Sequence, residues 1–65
     1  MTQKEYALFT DGEAWVEHDG HLYECIGKRK EDSKWILSDV NDGFAIYVSD
    51  NTLRHSPQFW FTYKY

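Results

Sequence analysis

The chain has 65 residues, the size of one small domain. Eleven acidic residues against seven basic ones give a net charge of −4 at pH 7. This balance argues against a protein that coats nucleic acid, because counterion release needs a surplus of Lys and Arg. A single cysteine excludes an internal disulfide framework and a Cys-rich zinc site. Aromatic residues make up 18% of the chain and are what its core must be built from.

The N-terminal segment carries no targeting signal and no strong helical pattern. MTQKEYALF lacks the basic and apolar stretches of a signal peptide, and no run of the chain approaches the ~18 apolar residues of a membrane-spanning helix. We therefore expect a cytoplasmic protein that does not contact membranes. No apolar spacing of three and four residues extends over a dozen positions, so the sequence predicts no long helix, and residues 5–9 are a candidate strand.

The clearest element is a β-hairpin around the dipeptide Asp19-Gly20. Residues 14–18 and 21–27 on either side are rich in aromatic and β-branched side chains, as strands are. An Asp-Gly pair as a two-residue loop favours a type I′ turn, whose twist matches that of the flanking strands. Such a turn sets the register of the two strands.

This register assigns the side chains of the hairpin to two faces of the sheet. The residues predicted to face the core are Ala14, Val16, Tyr23 and Cys25. Trp15 and Glu17 then point outward, since successive residues of a strand alternate between faces. Gly27 marks a point where the second strand can bend.

Two further strands are predicted in the second half of the chain. Residues 34–39 form one strand, which turns through Asp42-Gly43 into another at residues 44–48. Alternation in this second strand places Phe44, Ile46 and Val48 on one face.

A turn and an aromatic tail complete the chain. Small polar residues at 49–52 favour a 3₁₀ or Asx-type turn with Leu53 beneath it, and residues 54–55 then begin a final strand. Aromatic and other residues alternate in the tail, residues 58–65 (QFWFTYKY), which is typical of a strand with an aromatic face. The tail either completes the fold, beside residues 5–9, or serves strand exchange, dimerisation or partner capture with Trp60 as the anchor.

From Trp15 to Pro57 the order of these features resembles an SH3-like small β-barrel of the Tudor/KOW kind. AWVEHDGHLYECIG is similar to the first hairpin of such domains, and WILSDVNDGFAIYVSDNTLRHSP to their closing part, with its acidic DG turn and its 3₁₀ turn followed by Leu-Arg. The resemblance implies one all-β domain over residues 1–65. Its core is a barrel of about five strands at residues 14–56, and residues 58–65 add an aromatic strand. Such domains bind peptides, modified side chains or nucleic acid, without catalysis.

The candidate partner-binding residues are aromatic side chains expected on the surface and acidic residues near them. They are Trp15, Trp35, Tyr47, Trp60, Asp39 and Asp42. Aromatic rings beside acidic loops could cage a cation, and tryptophans often supply the binding energy of interfaces. Packing of the same rings on the flank of the barrel is the alternative.

Neither a metal site nor a catalytic site is predicted. His18 and His21 face each other across the turn and Cys25 shares their face, but a zinc site needs four convergent ligands, so a solvated hairpin tip is favoured. The chain has no Gly-rich phosphate loop, no GxSxG and no HExxH sequence. A barrel this small also has no room for a substrate pocket of several hundred Å³. We expect no cofactor and no enzymatic activity.

These observations favour a non-enzymatic module that binds a protein partner by stoichiometric occupancy, as an adaptor or an inhibitor. The acidic balance would steer a basic partner, and a nucleic-acid-binding host protein is one candidate. In size and composition the chain is similar to accessory proteins of phages and mobile elements.

Two alternative functions remain open. One is a barrel that stacks single-stranded nucleic acid on its tryptophans near the basic loop at residues 28–30, which the acidic balance disfavours. The other is a homo-oligomer, such as a homodimer, with a swapped C-terminal strand.

Overall fold

The computed structural model describes residues 1–64, which form one five-stranded antiparallel sheet and two short helices. In chain order the elements are helix α1 (Gln3–Thr10), strands β1 (Ala14–His18), β2 (His21–Lys28), β3 (Trp35–Asp39) and β4 (Ala45–Val48), helix α2 (Asp50–His55) and strand β5 (Trp60–Tyr63). The strand order is β4-β3-β2-β1-β5. Within the described residues β4 and β5 form the two ends of the sheet and do not pair, so the protein is mostly β but its sheet is not closed into the expected barrel.

The hairpin of β1 and β2 confirms the predicted register. Val16 pairs with Tyr23, and the ladder ends at the turn with His18 opposite His21. The turn residue Asp19 has φ 53° and the following glycine has φ 79°, the left-handed conformations that a type I′ turn requires. Farther along β2 the ladder to β3 shifts register between Cys25 and the glycine two residues on, which places a bulge where a bend was expected.

The N-terminal segment is a helix, so the expected strand at residues 5–9 is wrong. A capping box begins α1: Thr2 Oγ1 accepts the backbone N–H of Glu5 over 3.1 Å, and Glu5 Oε1 accepts the N–H of Thr2 over 2.8 Å. Phe9 near the end of α1 is fully buried. A helix of only eight residues is therefore held by its cap and by one deep aromatic anchor, not by a long amphipathic pattern.

The segment before the tail is helix α2, so the prediction that residues 54–55 begin a strand is also wrong. Ser49 Oγ accepts the backbone N–H of Thr52 over 3.2 Å and caps α2. Arg54 Nε donates to Asp50 Oδ2 over 2.8 Å, one turn apart on the same helix. Leu53 is fully buried, as expected for the residue beneath this turn.

The aromatic tail pairs with β1 of the same chain. Trp60–Tyr63 run antiparallel to β1, with Glu17 opposite Trp60 and Val16 opposite Phe61. Because α1 occupies the N-terminal segment, the neighbour of the tail is the hairpin and not residues 5–9. Tyr65, which the predicted tail included, lies outside the described residues.

One face of the sheet carries the core and both helices. The buried cluster joins helix residues Phe9 and Leu53 to strand residues that include Val16, Leu37 and Val48. Phe44, expected on this face with Val48, lies before the first residue of β4 and is 76% exposed. Of the helices within residues 1–64, neither has the length and apolar character needed to cross a membrane.

Candidate functional site

The face of the sheet opposite the core, called here the outward face, carries three of the predicted aromatic candidates. Strand alternation and the cross-strand pairs assign its side chains. They include Trp15, Glu17, Leu22, Glu24, Ile36, Tyr47 and Trp60. All of them are half-buried or exposed, since both helices pack on the other side.

Trp15 and Tyr47 share the outward face but do not form one cluster. Trp15 lies on β1 and Tyr47 on β4, three strand spacings or about 14 Å apart. Each has a cation of its own chain over the ring: Lys64 Nζ lies 6.0 Å from the centroid of Trp15, and Arg29 Cζ lies 4.0 Å from that of Tyr47. Both rings are thus engaged within the chain.

Trp35 lies on the core face and not on the outward face. It pairs with buried Val48 and packs half-buried against the core. Its indole N–H donates to Asp50 Oδ1 over 3.0 Å, and the Tyr6 hydroxyl donates to the same oxygen. The hydrogen bond from Tyr6, followed by that from Trp35, lowers the pKa of Asp50 to about 2. Trp35 therefore joins the sheet to both helices.

Asp39 is buried, only 4% exposed, and organises the β3–β4 turn. Its Oδ1 accepts the backbone N–H groups of Asn41 over 2.7 Å and Asp42 over 3.2 Å, and its Oδ2 accepts Nδ1 of His21 over 2.8 Å. The N–H of Asn41 is the largest cause of a lowered pKa for Asp39. Asp42 is exposed and its Oδ1 accepts the N–H of Phe44 over 2.9 Å.

His21, Asp39 and Asp42 form the one group of potential metal ligands that residues 1–64 bring together. One donor atom from each lies within 4.8 Å of the others. Oδ1 of Asp39 already accepts two backbone N–H groups of the β3–β4 turn, and Oδ2 accepts Nδ1–H of His21 at the start of β2. These hydrogen bonds explain why His21 and Asp39 lie together. His18 lies opposite His21, as expected, and donates from Nδ1 to the carbonyl oxygen of Gln58 over 3.0 Å.

Trp60 differs from the other candidates because it stands at the rim of a cleft. The cleft is lined by His18, Asp19, Gln58 and Trp60 and has a volume of about 440 Å³, so the expectation that the domain has no room for a pocket of several hundred Å³ is wrong. The Trp60 side chain is 68% exposed. One wall is rigid, since the His18 ring stacks on buried Phe59 with centroids 4.2 Å apart and planes 7° from parallel.

Two acidic residues lie near Trp60. Glu17 is its cross-strand partner on β1 and shares the outward face, and Asp19 lies in the cleft. Leu22 continues the same row on β2, opposite Glu17. An exposed indole, an apolar neighbour and two carboxylates are groups that can bind a ligand.

The only cysteine is not placed as a nucleophile. Cys25 packs half-buried against the core, and burial raises the pKa of its thiol. A raised pKa keeps the sulfur protonated near pH 7, and thiols attack as thiolates.

Sequence reasoning placed Trp60 and missed the carboxylates beside it. Alternation along the hairpin already put Glu17 outward, and that was the available signal. That Asp19 and Gln58 line the same cleft could not be predicted from the sequence, because it depends on β5 lying beside β1.

Comparison with models of known families gave no match, and neither curated proteins nor solved structures gave a significant one.

Proposed function

We propose that the protein is a non-enzymatic binding module that acts by stoichiometric occupancy of a protein partner, as an adaptor or an inhibitor. The observation that carries this proposal is the exposed Trp60 of the outward face, which lines a cleft together with His18, Asp19 and Gln58. Tryptophan is enriched among the residues that dominate interface energies, and a large ring left in water by a small domain is a common sign of an interaction site.

The charge of this surface indicates the kind of partner. Glu17 and Glu24 lie on the outward face, Asp19 lies in the cleft, and the chain carries a net charge of −4. Complementary charge accelerates encounter and excludes partners of like charge. A basic protein surface, such as that of a nucleic-acid-binding host protein, fits this arrangement. Nucleic acid itself does not, since its phosphates would meet these carboxylates.

The SH3-like resemblance remains part of the proposal. Its support is the succession of elements: a meander β1 to β4, a short helix in place of the expected 3₁₀ turn, and a last strand that returns to β1. The resemblance implies binding through residues presented on strands and loops, and the residues around Trp60, not the fold, carry the proposal.

The test is capture of a partner with matched variants. Tagged protein would be passed over host lysate beside Trp60→Ala and Phe44→Ala, two truncations of exposed aromatic rings that lie at opposite ends of the sheet. We expect a basic protein that is retained by the original chain and by Phe44→Ala, is lost with Trp60→Ala, and elutes as the salt concentration rises.

A second experiment tests whether the captured protein is the specific partner. The identified protein, purified, should form a 1:1 complex whose dissociation constant rises at least about tenfold with Trp60→Ala. Retention that is equal for both variants, or a partner with an acidic surface, would contradict the proposal.

A homodimer is a second candidate, favoured by one observation. The end strand β5 presents an uncharged run, Trp60–Tyr63, and uncharged edges invite pairing with another chain. Sedimentation velocity over a range of concentrations tests this. A dimer that Tyr63→Lys dissociates would support pairing at β5, whereas a monomer at all concentrations excludes it.

A further inference from the structure

The protein repeatedly places its own cations over aromatic rings. The pairs are Lys28 on Trp35, Arg29 on Tyr47, Arg54 on Tyr6 and Lys64 on Trp15. The two arginines lie closest, with Cζ 4.0 Å and 3.7 Å from the ring centroids, whereas the lysine Nζ atoms lie at 4.8 Å and 6.0 Å. A planar guanidinium can lie flat on a ring, and this accounts for the shorter distances.

Trp60 is an aromatic ring with acidic residues nearby, as in these cation–ring pairs, but in the described part of the chain it has no cation over it. Glu17 is the cross-strand partner of Trp60 and Asp19 lines the same cleft, so two acidic residues are near the ring, as Asp32 is bonded to the Arg29 that covers Tyr47. Among residues 1–64 no Lys or Arg lies over the Trp60 ring. Its face and the adjacent cleft are therefore open to a cation from outside the chain.

We propose that the cleft beside Trp60 binds an arginine side chain of the partner. The guanidinium lies on the indole and donates N–H hydrogen bonds to the carboxylates of Glu17 and Asp19. The inference rests on the proposed function and deepens it, since it names the residue of the partner that this surface recognises. Arginine fits better than lysine because its planar fork satisfies a ring and two carboxylates together.

The cleft is prepared for this ligand before binding. His18 is held by its stack on Phe59 and by its hydrogen bond to Gln58, and Asp19 is held in the type I′ turn. Groups that are already fixed lose little conformational entropy on binding. The cleft, at about 440 Å³, is within the range of small-molecule sites and can take the guanidinium and part of its aliphatic stem.

Nuclear magnetic resonance titration with peptides tests the inference directly. The probes are capped five-residue peptides that alternate glycine with arginine, with lysine, or with citrulline, the uncharged isostere of arginine. The chain has three tryptophans, so each indole N–H gives its own signal. We expect the arginine peptide to shift the Trp60 indole signal saturably, with smaller changes at Trp15 and Trp35. The lysine peptide should bind about threefold or more weakly, and the citrulline peptide about tenfold or more weakly.

Matched variants locate the site. Trp60→Ala should weaken the arginine peptide by about tenfold, and Glu17→Gln or Asp19→Asn by about threefold each. Asparagine tolerates the left-handed φ of position 19, so Asp19→Asn keeps the turn. Phe44→Ala, with its exposed ring at the far end of the sheet, should leave the affinity unchanged.

Three results would overturn the inference. They are equal affinities for the arginine and citrulline peptides, an unchanged affinity of Trp60→Ala for the arginine peptide, and chemical-shift changes spread evenly over the signals of all acidic residues. The capture experiment separates this failure from failure of the proposed function. Suppose that a partner is lost with Trp60→Ala but its affinity does not change when its own interface arginines are substituted. This result would support the proposed binding function and would refute arginine as the ligand of the cleft.

Discussion

The indole N–H of Trp35 on β3 and the hydroxyl of Tyr6 on α1 donate to the same oxygen of Asp50, the first residue of α2. One carboxylate thus connects the sheet to both helices. Arg54 approaches its other oxygen, over 2.8 Å, so that both oxygens are engaged. The connection explains how an α2 of only six residues stays in place over the core.

Asp50→Asn should therefore destabilise the fold. It removes the charge that strengthens these hydrogen bonds, and we expect a loss of about 1–2 kcal/mol in the free energy of unfolding. Urea denaturation followed by tryptophan fluorescence measures this. Asp11→Asn, an exposed acidic residue after α1, should change stability by less than about 0.5 kcal/mol.

The same carboxylate predicts a pH dependence. The pKa of Asp50 is about 2 in the folded state against 3.8 for a free aspartate, so its contribution is complete above pH 4 and is lost as the pH falls towards 2. Asp39 also has a lowered pKa and acts in the same direction. Asp50→Asn should reduce the loss of stability between pH 4 and pH 2 without abolishing it. An undiminished acid loss in this variant would show that Asp50 is not a source of it.

The hairpin was predictable from the sequence and Trp35 was not, for a physical reason. The Asp19-Gly20 turn is a local signal that sets register within four residues on either side, so the face of Trp15 and Glu17 followed from counting. Trp35 begins a strand that has apolar residues at both odd and even positions, so alternation does not assign its side chain to a face of the sheet. Its contacts with Asp50 and Tyr6, which are distant in sequence, hold it on the core face.

The helices were missed for two different reasons. The capping box of Thr2 and Glu5 is a recognisable signal for α1, and it outweighs the absence of a long apolar period. For α2 the turn over Leu53 was predicted but its length was not, because six residues are too few for periodicity to register. Of the candidate site, the exposure of Trp60 was predictable, whereas its cleft arises only from the pairing of β5 with β1.

Gly20→Ala tests the turn that sets this register. Position 20 has φ 79°, where a side chain costs about 1–2 kcal/mol, and there is open space around the added methyl group. We expect that loss of unfolding free energy from the local backbone conformation alone, without a clash with other residues. Asp19→Asn is the matched control at the preceding position and should be close to neutral. If Gly20→Ala were as stable as the original chain, the type I′ conformation would be contradicted.

Leu53→Ala tests whether α2 belongs to the core. Leu53 is fully buried, and its truncation should cost about 2–5 kcal/mol, which is enough to unfold a large fraction of so small a domain. Asn51→Ala, exposed on the same helix, should cost far less. Circular dichroism at increasing temperature compares the two variants. Equal melting temperatures would mean that α2 does not pack on the sheet.

Deletion of residues 58–65 tests whether the tail is part of the monomer. The deletion leaves β1 unpaired on one side and takes buried Phe59 out of the core, so we expect the truncated chain to lose its cooperative unfolding transition. Trp60→Ala is the control, because the exposed ring can be removed while the backbone pairing of β5 remains. That variant should keep the dispersed nuclear magnetic resonance spectrum of a folded domain. A truncated chain that stays a folded monomer would instead place the tail outside the fold, free for exchange between chains, and would favour the homodimer over the binding module.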